Sequence, residues 1–149
     1  MIIRTRDTNL VRSILGSEGL KEKVLGDYPV EIFDPENQDS IYYLLAVNDE
    51  RKPVGLMVCH GVDNPAMYQI HINYLKKYWG TPLTNYSIEA SKWMFNNTVC
   101  EKLIGFIPDS YPLVKRHALR CGYEEEGYLK KSVRVHGKLD NATIVGLCK

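Results

Sequence analysis

The sequence predicts a single α+β (α/β) domain of order βααβββαβαββ, with a mixed, mostly antiparallel sheet and a central parallel strand pair flanked by helices. Three observations carry this. Short apolar runs from Ile41 to Val47, Pro53 to His60 and Met67 to Asn73 follow one another across turn residues, the pattern of an antiparallel meander. Leu83, Tyr86, Ala90, Trp93 and Met94 then recur at helical spacing ahead of another apolar run, Lys102 to Ile107. The unit from Tyr68 to Ile107 therefore reads as strand–helix–strand, expected to be parallel and right-handed. Finally, 149 residues, 44% apolar and 25% charged, suit one domain with a full core.

Each element has its own warrant. Met1 to Arg4 reads as an edge strand. Asp7 and Thr8 offer an N-cap to a helix whose apolar positions are Leu10, Val11, Ile14 and Leu15, with Gly16 as its stop. Ser17 opens a second short helix carrying Leu20, Val24 and Leu25 on one face and ending at Gly26. Pro29 to Ser40 is polar and reads as a surface connector. Residues 48–52 and 61–65 make the turns of the meander. After Ile107, Tyr111 to Cys121 reads as a helix stopped by Gly122. Tyr123 to Val135 is a strand, His136-Gly137-Lys138 a turn, and Ala142 to Leu147 the closing strand.

Composition narrows the function classes. Net charge is +1, so no bulk field draws the protein to nucleic acid or to a membrane surface. No aromatic and basic interleaving marks a single-strand binding face. No apolar run reaches the length of a membrane span, and the N-terminus lacks the three regions of a secretory signal, so the expectation is a cytoplasmic protein. The cysteines at 59, 100, 121 and 148 and the histidines at 60, 71, 117 and 136 are too scattered for a zinc site. The cysteines read as small buried hydrophobes.

Chemistry concentrates in Lys77-Tyr78-Trp79-Gly80-Thr81-Pro82-Leu83-Thr84, between a strand and a long helix. The stretch has the outline of a phosphate-cradling loop, yet Pro82 carries no N–H. The strand before it offers Gln69, His71 and Asn73 on one face and Tyr68, Ile70 and Ile72 on the other, with no carboxylate. Among these, His71 has the intrinsic pKa of a general base.

The element order with these landmarks resembles the GCN5-related N-acetyltransferase superfamily, and Tyr78-Trp79-Gly80 before a helix, Ser87-Ile88-Glu89-Ala90 within it and Trp93-Met94-Phe95 near its end resemble its protein N-terminal acetyltransferase branch. Gly122-Tyr123, Glu126-Gly127 and the hairpin from Val133 to Asp140 are similar to the same branch. The resemblance implies acetyl-CoA between two splayed strands. Its pyrophosphate would rest on Lys77, Trp79, Gly80, Thr81, Leu83 and Thr84, and the backbone near Ile72 and Asn73 would polarise the thioester carbonyl. It implies His71 as base and an amine, such as a protein N-terminus, as acceptor. This chain departs from the superfamily's loop pattern at Trp79, Pro82 and Thr84. Ala118 stands where many members have the tyrosine that protonates the thiolate, and neighbouring His117 lies about 100° away around the helix. A second reading stays open: a non-catalytic protein of this fold, similar to transferase-like tailed-phage proteins linked to head assembly, with a protein assembly partner.

Overall fold

The computed structural model describes residues 1–21, 34–36, 38–79 and 83–149. Among these, the elements run β1 (Ile2–Thr5), α1 (Thr8–Leu15), β2 (Ile41–Val47), β3 (Pro53–Gly61), β4 (Met67–Tyr74), α2 (Thr84–Asn97), β5 (Lys102–Pro108), α3 (Pro112–Arg120), β6 (Glu124–Val135) and β7 (Lys138–Cys148). They build one 7-stranded sheet of order β1-β2-β3-β4-β5-β7-β6. Every pairing is antiparallel except β4 with β5, which is parallel as the strand–helix–strand reading expects.

Alternation along the strands divides the core into two layers. On β2, Leu44 and Ala46 face α2 and α3, joined by Met57, Cys59, Tyr68 and Ile70 and covered by Ala90, Met94 and Ala118. Tyr43, Leu45 and Val47 face the other way, against Val11, Ile14, Leu15 and Leu20. Leu44, Leu56 and Met94 are wholly buried. Each contributes about 1.5–3 kcal/mol through lost apolar exposure.

Local signals work as physics requires. The Asp7 carboxylate accepts the Leu10 N–H at 3.0 Å and caps α1, and the Gly16 N–H returns to the Arg12 carbonyl. Pro112 starts α3, where a missing N–H costs nothing. His136 and Gly137 take positive φ of 47° and 75° and turn β6 into β7.

Three expectations change. The closing strand starts at Lys138 rather than Ala142. Its first residues pair Val133–Val135 while mostly exposed, so they lack the apolar run that marks a buried strand. The buried face of α2 centres on Ser87, Ala90, Ser91 and Met94, with Leu83, Tyr86 and Trp93 only half-buried at its margin. Cys148, expected to be buried, is exposed, unlike Cys59, Cys100 and Cys121. Of the second helix, Ser17 to Lys21 form a turn with the Leu20 and Lys21 N–H groups on the Ser17 carbonyl; Val24, Leu25 and Gly26 lie outside the described residues.

β6 is an outer strand and is bulged twice. Its register with β7 shifts between Glu125 and Gly127 and again between Leu129 and Val133. Among the described residues, no helix is long and apolar enough to cross a membrane.

Candidate active site

β4 and β5 pair only over Met67–Gln69 and Lys102–Ile104. β4 then runs on to Tyr74 and β5 to Pro108 without further pairing to each other. β5 is held instead by β7 along its whole length, and β4 by β3. The result is a wedge between two neighbouring strands.

Backbone parity decides what faces this wedge. The Leu75 N–H bonds the Val54 carbonyl and the Met67 carbonyl accepts the Val62 N–H, so odd-numbered residues aim their backbone groups at β3. Even-numbered residues aim theirs at β5. Accordingly a Cβ placed on Gly105 of β5 would lie 3.9 Å from the Ile70 carbonyl oxygen. Past this point Ile72 and Tyr74 present their N–H and C=O groups to the wedge. Asn73 does not: its backbone belongs to the β3 ladder opposite Leu56, and its side chain is buried, with Nδ2 donating to the His71 carbonyl at 3.3 Å.

The odd-numbered side chains emerge on the α1 face. His71 lines an open recess of about 370 Å³, shared with His60, Tyr43, Val58, Asp34 and Glu36 among others. Its ring stacks on that of His60 with centroids 5.2 Å apart, and its Nε2 lies 3.2 Å from Gln69 Nε2. The Gln69 amide nitrogen can only donate, so in this contact Nε2 of His71 is the acceptor and Nδ1 carries the proton. Desolvation in the recess, with His60 alongside, pulls the His71 pKa down to about 4. The imidazole is therefore neutral at pH 7.

On the opposite face a buried polar chain ties the wedge together. The Tyr74 hydroxyl donates to the Leu83 carbonyl at 2.9 Å and lies 2.5 Å from Ser87 Oγ. Ser87 Oγ is 2.9 Å from His117 Nε2, which also sits 3.5 Å from Cys121 Sγ. Burial raises the Tyr74 pKa, and burial beside Arg120 lowers that of His117. Neither signal was visible in the sequence, because serines on a helix interior read as polar surface. Ala118 is buried in the core cluster.

The loop after β4 places its residues differently from one another. Lys76–Tyr78 form one 3₁₀ turn, with Lys77 Nζ 5.0 Å from the Tyr78 ring centroid. Trp79 folds back so that its indole Nε1 donates to the Tyr74 carbonyl at 3.0 Å. Gly80 and Thr81, expected at the phosphate, and Pro82 lie outside the described residues. Leu83 precedes α2 and Thr84 opens the helix, and among the described residues no side chain caps its first-turn N–H groups.

No protein-family model matches the sequence, and no curated protein matches it either. Solved structures match the fold. A chimera of the spermidine N-acetyltransferase SpeG from Vibrio cholerae and hSSAT aligns with a TM-score of 0.78 at 13% identity, covering 99% of this chain and 94% of that one. The spermidine/spermine N-acetyltransferase SpeG from Vibrio cholerae in complex with manganese ions aligns with a TM-score of 0.75 at 12% identity, covering 99% and 91%. At such identity the likeness is one of architecture, and with its splayed parallel pair the chain has the fold of the GCN5-related N-acetyltransferases.

Proposed function

We propose that the protein transfers an acetyl group from acetyl-CoA to an amine. One observation supports this above the rest: consecutive residues of β4 serve the two sides of such a reaction. Ile72 offers its backbone N–H to the wedge, while the His71 side chain stands in the recess on the other face.

In this reading the thioester lies along the wedge edge of β4 with its carbonyl on the Ile72 N–H, a fixed dipole aimed at the developing oxyanion. Acetyl-CoA supplies the activated acyl carbon. The acceptor amine sits in the recess, where the Glu36 carboxylate lines the wall and favours a cationic substrate, Asp34 being paired with Arg12. The ammonium first gives one proton to solvent to free its lone pair, and the nitrogen's second proton passes to Nε2 of the neutral His71 as the adduct forms, displacing the Gln69 contact. The C–N bond forms, the C–S bond breaks, and the thiolate leaves along the open end of the wedge to take a proton from water. In the same reading the pyrophosphate would meet Lys77 and the first turn of α2, with Trp79, Gly80, Thr81, Leu83 and Thr84 as the residues proposed to contact it.

Calorimetry with acetyl-CoA, followed by thiol release in the presence of small amines and N-terminal peptides, tests the proposal. Binding in the micromolar range and a His71→Ala loss of about 100-fold in kcat are expected. Absence of heat up to millimolar acetyl-CoA would sink it.

A second reading has its own support. Pro82 removes a donor from the loop, and a lost hydrogen bond to a charged oxygen costs about 1.5–3 kcal/mol. A protein of this fold that binds an assembly partner without catalysis would show stable association with that partner and no thiol release.

A further inference from the structure

We infer that Trp79 occupies, in the ligand-free protein, the backbone acceptor that a ligand in the wedge must take, so that binding proceeds by displacing the indole. The inference rests on the acetyl-CoA reading and adds a residue-specific step to it. The Tyr74 carbonyl faces the wedge by strand parity and lies beyond the last β4–β5 pair. It is not left open: Trp79 Nε1 reaches back over five residues and donates to it at 3.0 Å. The Trp79 side chain is 47% exposed, a large share for so large an apolar group. Trp93, by contrast, is packed against the core and Tyr42.

The pantetheine arm of a coenzyme A thioester carries two amide N–H donors. An extended arm lying along β4 meets the Tyr74 carbonyl, and one N–H there replaces another. Exchange of donors keeps the buried acceptor satisfied in both states, so the swap costs little in hydrogen bonding. It does cost the free protein's own bond, which lowers the apparent affinity for any ligand that uses this edge. In the ligand-free protein Trp79 is thus a competitor for the site.

The test compares wild type with Trp79→Phe, which keeps an aromatic ring and removes the donor. Coenzyme A is titrated calorimetrically into both. The indole N–H signals of the wild type are followed by NMR, with Trp93→Phe for assignment. The expected result is binding about three- to tenfold tighter in Trp79→Phe, the factor for one net hydrogen bond. The Trp79 indole N–H should exchange slowly in the free protein and fast once coenzyme A is bound. Equal or weaker binding by Trp79→Phe, or an indole signal indifferent to ligand, overturns the inference and leaves the transferase reading standing. Failure of both proteins to bind overturns the two together.

Discussion

The Ser87 hydroxyl of α2 stands 2.9 Å from His117 Nε2 of α3 and 2.5 Å from the Tyr74 hydroxyl of β4. One orientation satisfies every donor in turn: His117 Nε2–H to Ser87, Ser87 O–H to Tyr74, and Tyr74 O–H to the Leu83 carbonyl. Two helices and a strand are thereby clamped at the open end of the wedge. Ser87→Ala cuts the chain at its centre, in a site with 0% exposure. It should lower stability by about 1–3 kcal/mol in urea titrations. A change within error would mean that the contact holds nothing together.

Acid should weaken the fold through two histidines. His71 and His117 both have depressed native pKa values, the first to about 4. An unfolded histidine titrates near 6.5. Below that pH the unfolded chain takes up protons that the native state refuses, so the urea midpoint falls as pH drops from about 6.5 toward 4. Above pH 6.5 neither group contributes a slope. His71 is open to solvent on the recess wall, which makes its share smaller than a buried group's. His71→Gln should flatten part of the pH dependence; an unchanged profile would assign it wholly to other groups.

Two glycines should respond oppositely to alanine. A Cβ on Gly55 would lie 2.5 Å from the Asn73 carbonyl oxygen and from the Tyr74 ring, between paired backbones that cannot part cheaply. Gly55→Ala should cost at least about 3 kcal/mol, as overpacking against backbone does. On Gly146 the new atom meets only the Glu126 carboxylate, at 2.3 Å, which can swing away from its Lys102 partner. Gly146→Ala should therefore stay within about 1 kcal/mol, the worth of the displaced ion pair. Chemical denaturation of the two variants side by side reads the contrast.

Met94 is wholly buried where α2 meets the sheet. Met94→Ala should cost about 2–5 kcal/mol, depending on how far the helix settles into the space. A loss near zero in thermal melts would place the core elsewhere.

Much of this architecture is legible in the residues. The span of β2 follows from its apolar run, the start of α1 from Asp7, and the parallel pair from the strand–helix–strand order. The site is less so. Sequence spacing places His71 and Ile72 on opposite faces, yet only strand pairing reveals that the Ile72 backbone meets the wedge while that of Asn73 turns to β3. Ser87 and Ser91 sit at the centre of a buried helix face because their hydroxyls find Tyr74, His117 and Tyr123, long-range partners that no local pattern encodes. The fold-back of Trp79 onto Tyr74 is of the same kind.

The two bulges of β6 also govern how the molecule meets its neighbours. Between them only Gly127, Tyr128 and Leu129 keep continuous register, and the outer edge changes direction at each interruption. An incoming extended chain needs a longer straight row of donors and acceptors than this to add itself as an eighth strand. Growth of the sheet at β6 is thus blocked by geometry despite the exposed Tyr128 and Leu129 beside it, and crowded solutions of the protein should resist edge-to-edge aggregation through this strand.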